Sequence, residues 1–177
     1  MRITGGKLQG LHTECPKGVI RPSMDRVRET VFAVLGDLSG MSFLDLFAGS
    51  GTCALEAYSR GAYPVWLIEK DKLKINTIIK NLALADDRLE CKNISAELFL
   101  KRTKKSFDII NADPPYKYNH YTELLKTASN SKGLKPQGLF LLHRPKEKDA
   151  GEKIEKMKRI DRRIFGRTIV DFYIKEI

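Results

Sequence analysis

A chain of 177 residues with 42% hydrophobic content fits one globular domain with its own core and excludes a disordered tail. Thirty-two Lys and Arg against 22 Asp and Glu leave a formal charge of +10, which suits a polyanionic partner. Cys15, Cys53 and Cys91, odd in number and without a Cys-x-x-Cys pair, exclude a disulfide framework and a zinc site and point to a reducing cytoplasm; no apolar run reaches the roughly 18 residues of a membrane span, and Met1 to Gly10 has no signal-peptide core.

In chain order, residues 1–22 scatter Gly5, Gly6, Gly10, Pro16, Gly18 and Pro22 among basic and apolar positions without a helical period, and read as a hairpin arm or loop. From Ser23, a potential cap, the apolar positions Val27, Val31, Val34 and Leu35 share one face, and Gly36 can end the helix. Strands are then expected at 43–47, 65–69, 89–93, 107–112 and 139–142, and helices at 52–60, 71–84, 95–101 and 121–129. This alternation implies right-handed βαβ units and a doubly wound, mostly parallel α/β sheet. Residues 156–164 and 168–175, joined around Gly166, leave no room for a crossover helix and should pair antiparallel as a terminal hairpin. Such a hairpin is the usual ending of a class I methyltransferase sheet, by analogy of fold. No internal repeat or linker divides the chain, so the expectation is a single domain over 1–177, an arm at 1–22 followed by a Rossmann-like core at 23–177.

The first chemical pattern is Phe43-Leu44-Asp45-Leu46-Phe47-Ala48-Gly49-Ser50-Gly51, an apolar strand entering a Gly-x-Gly turn where backbone can approach a ligand closely. Glu69, closing the next strand with Lys70 after it, is placed to accept from ribose hydroxyls. With Ala54 the string also satisfies Gly-x-Gly-x-x-Ala, the pattern of a nicotinamide or flavin site. Asp45 favours a different ligand: a carboxylate there would repel a pyrophosphate but pair with the ammonium of a methionine moiety. After the third strand, Ser95 and Ala96 either meet the adenine edge, or Ser95 caps the next helix with Leu98 and Phe99 as its core face.

The second pattern, Asn111-Ala112-Asp113-Pro114-Pro115-Tyr116, follows the fourth strand at the edge where open α/β sheets bind ligands. An exocyclic base amine is a poor nucleophile because its lone pair is delocalised into the ring. Acceptors aimed at its hydrogens, here the Asp113 carboxylate and the Pro114 carbonyl, draw the nitrogen toward tetrahedral geometry. Pro114 and Pro115 stiffen the loop and carry no competing N–H, and Tyr116 offers a ring on which the base can stack.

These two patterns, with Arg2-Ile3-Thr4-Gly5-Gly6 and Arg21-Pro22-Ser23-Met24-Asp25-Arg26-Val27-Arg28-Glu29-Thr30, resemble the bacterial 16S ribosomal RNA guanine-N2 methyltransferase family, the RsmD-like group, over essentially the whole chain. The resemblance implies S-adenosylmethionine as donor, Asp113 as the central catalytic residue, a guanine amino group in small-subunit rRNA as target, and Arg26 and Glu29 as parts of the pocket. The donor pocket expected from residues and resemblance together is Arg26, Glu29, Asp45, Phe47, Gly49, Ser50, Gly51, Glu69, Lys70, Ser95, Ala96 and Asp113. Two features depart from the family: Ser95-Ala96 replaces an Asp-Ala or Asn-Ala pair, and the fifth strand ends in His143-Arg144 instead of an acidic residue. His143 therefore receives no role, and His12 and His120 read as exposed loop residues.

Basic residues cluster at 101–105 and again between Arg144 and Arg167, where ten Lys and Arg face five Asp and Glu; both read as solvated surface. The arm, with Arg2, Lys7, Lys17 and Arg21 set among glycines, is the expected phosphate grip reaching over the loop face. The expected protein is a cytoplasmic monomer without a metal, acting on 16S rRNA or an assembling small subunit. A DNA adenine-N6 methyltransferase and a non-catalytic RNA-binding protein on the same fold are the alternatives.

Overall fold

The computed structural model describes residues 1–15, 22–87 and 89–177, the side chains of 22–24 excepted. In chain order the elements are α1 (Pro22–Leu35), β1 (Phe43–Leu46), α2 (Thr52–Ser59), β2 (Val65–Ile68), α3 (Lys72–Leu82), β3 (Glu90–Lys92), α4 (Ala96–Arg102), β4 (Phe107–Ala112), α5 (Tyr121–Asn130), β5 (Leu134–Pro145), β6 (Lys153–Ile154), β7 (Met157–Phe165) and β8 (Thr168–Lys175). The strands form one sheet in the order β3-β2-β1-β4-β5-β8-β7-β6. The first five are mutually parallel, and β8, β7 and β6 continue the sheet antiparallel. The doubly wound sheet with its terminal hairpin is the architecture of class I methyltransferases.

The strand sequences account for the layering. Each strand of the parallel part alternates its side chains between two covered faces, so nearly every position must be apolar. Phe43, Ile109, Leu141 and Phe172 pack into one cluster with Val31 of α1, Leu55 of α2 and Ile78 of α3. Leu44, Ile110, Phe140 and Tyr173 pack into the other with Phe99 of α4 and Leu124 of α5. Helix starts are fixed locally. The Asp71 carboxylate accepts from the Leu73 N–H at 3.0 Å to open α3, and the Ser95 hydroxyl accepts from the Leu98 N–H at 3.3 Å to open α4. Among the described residues, no helix is long and apolar enough to cross a membrane.

Two strands differ from the sequence reading. Strand β5 begins at Leu134, not 139, because the Gly133/Pro136/Gly138 cluster forms a bulge within the strand: Phe107 pairs with Leu134, whereas Ile109 pairs with Leu139. It also runs on to Pro145, since β8 pairs with it from Ile174 back to Thr168. The two-residue β6 had no sequence signal; it folds onto β7 through a tight turn in which Glu155 takes a positive φ of 53°.

The start of the arm is a hairpin: Arg2 and His12 form an antiparallel bridge, and the Ile3 N–H donates to the Leu11 carbonyl at 2.9 Å. It lies along α2. Thr13 meets Thr52 at the start of that helix, Thr4 meets Glu56 in its middle, and the Lys7 N–H donates to the Ser59 carbonyl at its end. Gly6 is required at that end: its φ is +76°, and a Cβ there would sit 1.8 Å from the Ser59 oxygen. Arg28 meets Glu56 at 3.6 Å and, one turn on in both helices, Arg60 donates to the Phe32 carbonyl at 3.3 Å, so α1 and α2 run the same way.

Candidate active site

The carboxyl ends of β1, β2, β3 and β4 converge on one edge of the sheet, and the expected site residues meet there. Leaving β1, Phe47 turns with φ +90°, a conformation costly for a residue with a side chain and one that accumulates at ligand clamps. The Phe47 and Ala48 N–H groups both donate to the Ile68 carbonyl, and Gly51, at φ +79°, opens α2. A Cβ on Gly51 would stand 3.1 Å from Leu67.

Glu69 fastens this loop. One of its oxygens accepts from the Gly49 N–H and the other from the Asp71 N–H, both at 2.8 Å, while the Asn93 amide donates to the carbonyls of Glu69 and Lys70. A carboxylate has about four lone-pair sites, so two remain for ribose hydroxyls. Glu69 is thus a loop clasp as well as a potential ribose acceptor. Lys70 is exposed and meets Asn93 through its backbone.

Asp45 is 2% exposed and faces inward from β1. Its Oδ1 accepts from the Asn111 amide at 3.0 Å, and the Asn111 oxygen lies 3.0 Å from His143 Nε2. Because the Asn111 nitrogen is donated to Asp45, its oxygen is an acceptor, which makes His143 the Nε2–H donor. Burial lowers the His143 pKa against the opposing pull of Asp113, consistent with a neutral ring. Three adjacent strands thus carry a chain of buried polar groups. It ends at Asp45 Oδ2, which is buried and has no hydrogen-bond partner among the described residues. A buried, unpaired carboxylate oxygen is costly unless a cation or donor meets it. Burial pushes the Asp45 carboxyl up to about 7.

The neighbouring strand, β4, delivers Asp113 to the surface. Asp113, Pro115 and Tyr116 are exposed while Pro114 is buried and anchors the loop; the Pro115 carbonyl accepts from the Tyr118 N–H at 2.8 Å. Tyr116 is 67% exposed, as a stacking platform requires. Tyr118, which the sequence reading passed over, joins the two halves of the site: its ring meets Phe47 edge-on at 5.4 Å and Tyr121 at 5.3 Å, and its hydroxyl donates to Glu97 at 2.7 Å. Asn111 and His143 were also missed. The signal was present, because an Asn and a His at inward positions of otherwise apolar strands need buried partners.

Several expected site residues have other partners or positions in the structure. The Ser95 hydroxyl accepts from the Leu98 N–H and caps α4, which leaves its O–H able to donate, and the Ala96 methyl is buried in the core. The Ser50 hydroxyl is engaged by Thr52 at 2.7 Å, leaving only its backbone toward a ligand. Arg26 and Glu29 are exposed on α1; the interior partner from that string is Arg28, which is 5% exposed and bonds Asp25 at 2.8 Å and the Arg2 carbonyl at 2.6 Å. Lys7 does not reach the loop face. It sits at the far end of α2, its ammonium donating to Tyr58 at 2.6 Å and to Asp86 at 2.9 Å. Arg2 is exposed at the base of the hairpin. Lys17 and Arg21 lie outside the described residues.

The residues present fit S-adenosylmethionine, the cofactor of this fold: an orphaned anionic oxygen for its ammonium, a Gly-x-Gly turn and a second acid at the next strand end. Comparison with known proteins agrees. The family model described as conserved hypothetical protein 95 matches residues 1–174. Ribosomal RNA small subunit methyltransferase D of Haemophilus influenzae is 35% identical over 150 residues, covering 81% of this chain and 76% of that protein. The solved yhhF protein of Escherichia coli superposes with a TM-score of 0.89 at 31% identity, covering 99% of this chain and 98% of the other. SMU.776, solved in complex with SAH, shares the fold with a TM-score of 0.70 at 16% identity, over 88% of this chain and 50% of its own. The chain belongs to the conserved hypothetical protein 95 family, that of the small-subunit ribosomal RNA methyltransferase D enzymes.

Proposed function

We propose that this chain transfers a methyl group from S-adenosylmethionine to the exocyclic N2 amino group of a guanine in 16S rRNA, either free or in an assembling small subunit, as a cytoplasmic monomer. The observation that carries the reading is the pairing of two carboxylates at one edge of the sheet. Asp45 is buried with an unpaired oxygen, and Asp113 is exposed on a proline-stiffened loop beside an exposed tyrosine. The two are close enough for the Asp113 charge to act on the Asp45 carboxyl.

In this reading Asp45 holds the donor ammonium, Gly49, Ser50 and Gly51 offer backbone, Glu69 takes the ribose, and Phe47 with Tyr118 forms the wall between donor and acceptor. The donor supplies an electrophilic methyl on a sulfonium. Asp113 and the Pro114 carbonyl accept from the target amine, aim its lone pair and stabilise the charge that develops on nitrogen, while Tyr116 stacks on the base. Pro115 keeps the loop rigid and free of a competing donor.

Labelled-methyl transfer to 16S rRNA, isolated small subunits, assembling particles and duplex DNA, followed by nucleoside digestion, tests the reading. N2-methylguanosine from a small-subunit substrate is the expected product. N6-methyladenosine, or transfer to DNA alone, would overturn it.

A further inference from the structure

Among the described residues three basic surfaces stand out, and their positions in the fold differ. The arm tip with Lys7 lies at the end of α2, opposite the reactive edge. Lys101, Lys104, Lys126 and Lys132 line a cleft of about 680 Å³ between the carboxyl ends of α4 and α5, also away from that edge. The third is the β7–β8 turn. Because β8 runs antiparallel to β5, Thr168 pairs with Pro145 at the carboxyl end of β5, and the turn projects from the edge that carries Asp113. The Lys146 N–H donates to the Arg167 carbonyl at 2.9 Å, binding the β5 exit to the turn, and the Arg167 guanidinium is within electrostatic reach of the Tyr116 phenol. Lys117, Lys146, Arg163 and Arg167 are all exposed here.

A base stacked on Tyr116 is attached to phosphates that must be met within a nucleotide or two of the loop. Arg167 is built for such a contact. Its present partner is Glu147, at 2.7 Å, with side chains 79% and 53% exposed. An ion pair this open contributes little to folding, so a phosphate can displace the carboxylate at small cost. Arg163 is similarly held by an exposed carboxylate, Asp161, at 2.8 Å.

We propose that the β7–β8 turn, with Arg163, Arg167 and Lys146, is the surface that grips the RNA backbone beside the catalytic loop, with Glu147 as a competitor that the incoming phosphate displaces. This rests on the reading that the acceptor is RNA, but not on which base is methylated. It stands beside the expectation that Arg2, Lys7, Lys17 and Arg21 of the arm grip phosphates; of these, Lys7 lies at the far end of α2.

The test is binding of a labelled, guanine-free oligo(U) across a salt series, alongside binding of S-adenosylhomocysteine. Arg167→Glu is expected to weaken oligo(U) binding roughly tenfold at low salt and to flatten the log-log salt slope by about 0.7 for each phosphate no longer neutralised. Glu147→Gln should tighten binding, and Lys7→Gln should leave it unchanged, with S-adenosylhomocysteine affinity constant in all three. An unchanged slope in Arg167→Glu, weaker binding in Glu147→Gln, or no oligo(U) binding by the wild type would each overturn the proposal. Because the probe contains no guanine, failure here is distinct from failure of the guanine reading, which the methyl-transfer assay reports.

Discussion

Replacing Asp45 by Asn separates two effects that the carboxylate combines. Burial pushes its carboxyl up to about 7; the charges of Asp113 and Glu69 add to this, while the Asn111 amide and the Ala54 N–H, the latter short of bonding geometry, oppose it. Against an unfolded-chain value near ~3.9, the gap of about 3 pH units at ~1.4 kcal/mol each means that the ionised carboxylate opposes folding by about 4 kcal/mol. The folded state holds this proton more tightly than the unfolded state. The stabilisation is therefore fully present below about pH 4 and is lost as pH rises through about 7. The substituted amide would be neutral throughout and would keep the acceptor for Asn111, but would bury an unpaired N–H at a cost of ~1–3 kcal/mol. Calorimetric scans should thus find Asp45→Asn more stable than wild type near pH ~8 by about 1–3 kcal/mol, several degrees in Tm for a chain of this size, with the difference closing or reversing near pH ~5. Glu69 and Asp113 at the neighbouring strand ends and Cys53 on α2 also face this group, but all three remain in the variant, so the difference isolates Asp45. Donor affinity should move in the opposite sense. The wild type should bind S-adenosylhomocysteine more tightly as Asp45 ionises, whereas Asp45→Asn binds at least ~10-fold more weakly with no such rise. Equal affinity in the two proteins, or parallel Tm curves between the two pH values, would refute the assignment of the orphan oxygen to the ammonium.

Asp113→Ala should reduce methyl transfer by at least ~100-fold while S-adenosylhomocysteine affinity changes only a few-fold, because Asp113 is exposed and acts on the acceptor side. Asn111→Leu should weaken S-adenosylhomocysteine by ~5–10-fold, as it leaves both Asp45 Oδ1 and His143 without partners; calorimetric titration reads the loss, and an unchanged affinity would show that the buried chain does not position Asp45. Gly6→Ala should cost more than ~2 kcal/mol in denaturant unfolding, since the new methyl collides with the backbone oxygen of Ser59 and the left-handed φ adds strain.

The sheet was legible because its code is local. Strands of four to six apolar residues alternate with capped helices, and Asp71 and Ser95 mark helix starts within a residue of where they fall. Fidelity was lost where pairing partners decide the ends. Nothing in Leu134 to Gly138 reads as strand, yet β4 supplies a ladder on one side and the chain bulges to stay on it. Conversely, β6 exists only because Met157 and Lys158 return alongside it. Both are non-local facts, and local propensity carries no record of them.

The site divides along the same line. Asp45, Gly49, Gly51 and Asp113 to Tyr116 lie in contiguous strings whose chemistry can be read residue by residue, whereas the groups that hold them come from distant parts of the chain. His143 looked like a departure from pattern because it was read along its own strand. Across the sheet, it stands on the same face as Asn111 and Asp45, where each polar group answers the next. The proposed phosphate grip on the β7–β8 turn differs from the expected one on the arm for a related reason. A Gly-rich basic arm resembles a flexible clamp in sequence, but Lys7 is tied to Tyr58 and Asp86, and the +76° φ of Gly6 locks the tip against α2. The run from Arg144 to Arg167 resembled a solvated surface, yet the antiparallel return of β8 brings its turn to the reactive edge. Charge density alone could not rank the two surfaces. What ranks them is strand direction, because in a parallel sheet it decides which edge each loop reaches, and the candidate site lies at one of those edges.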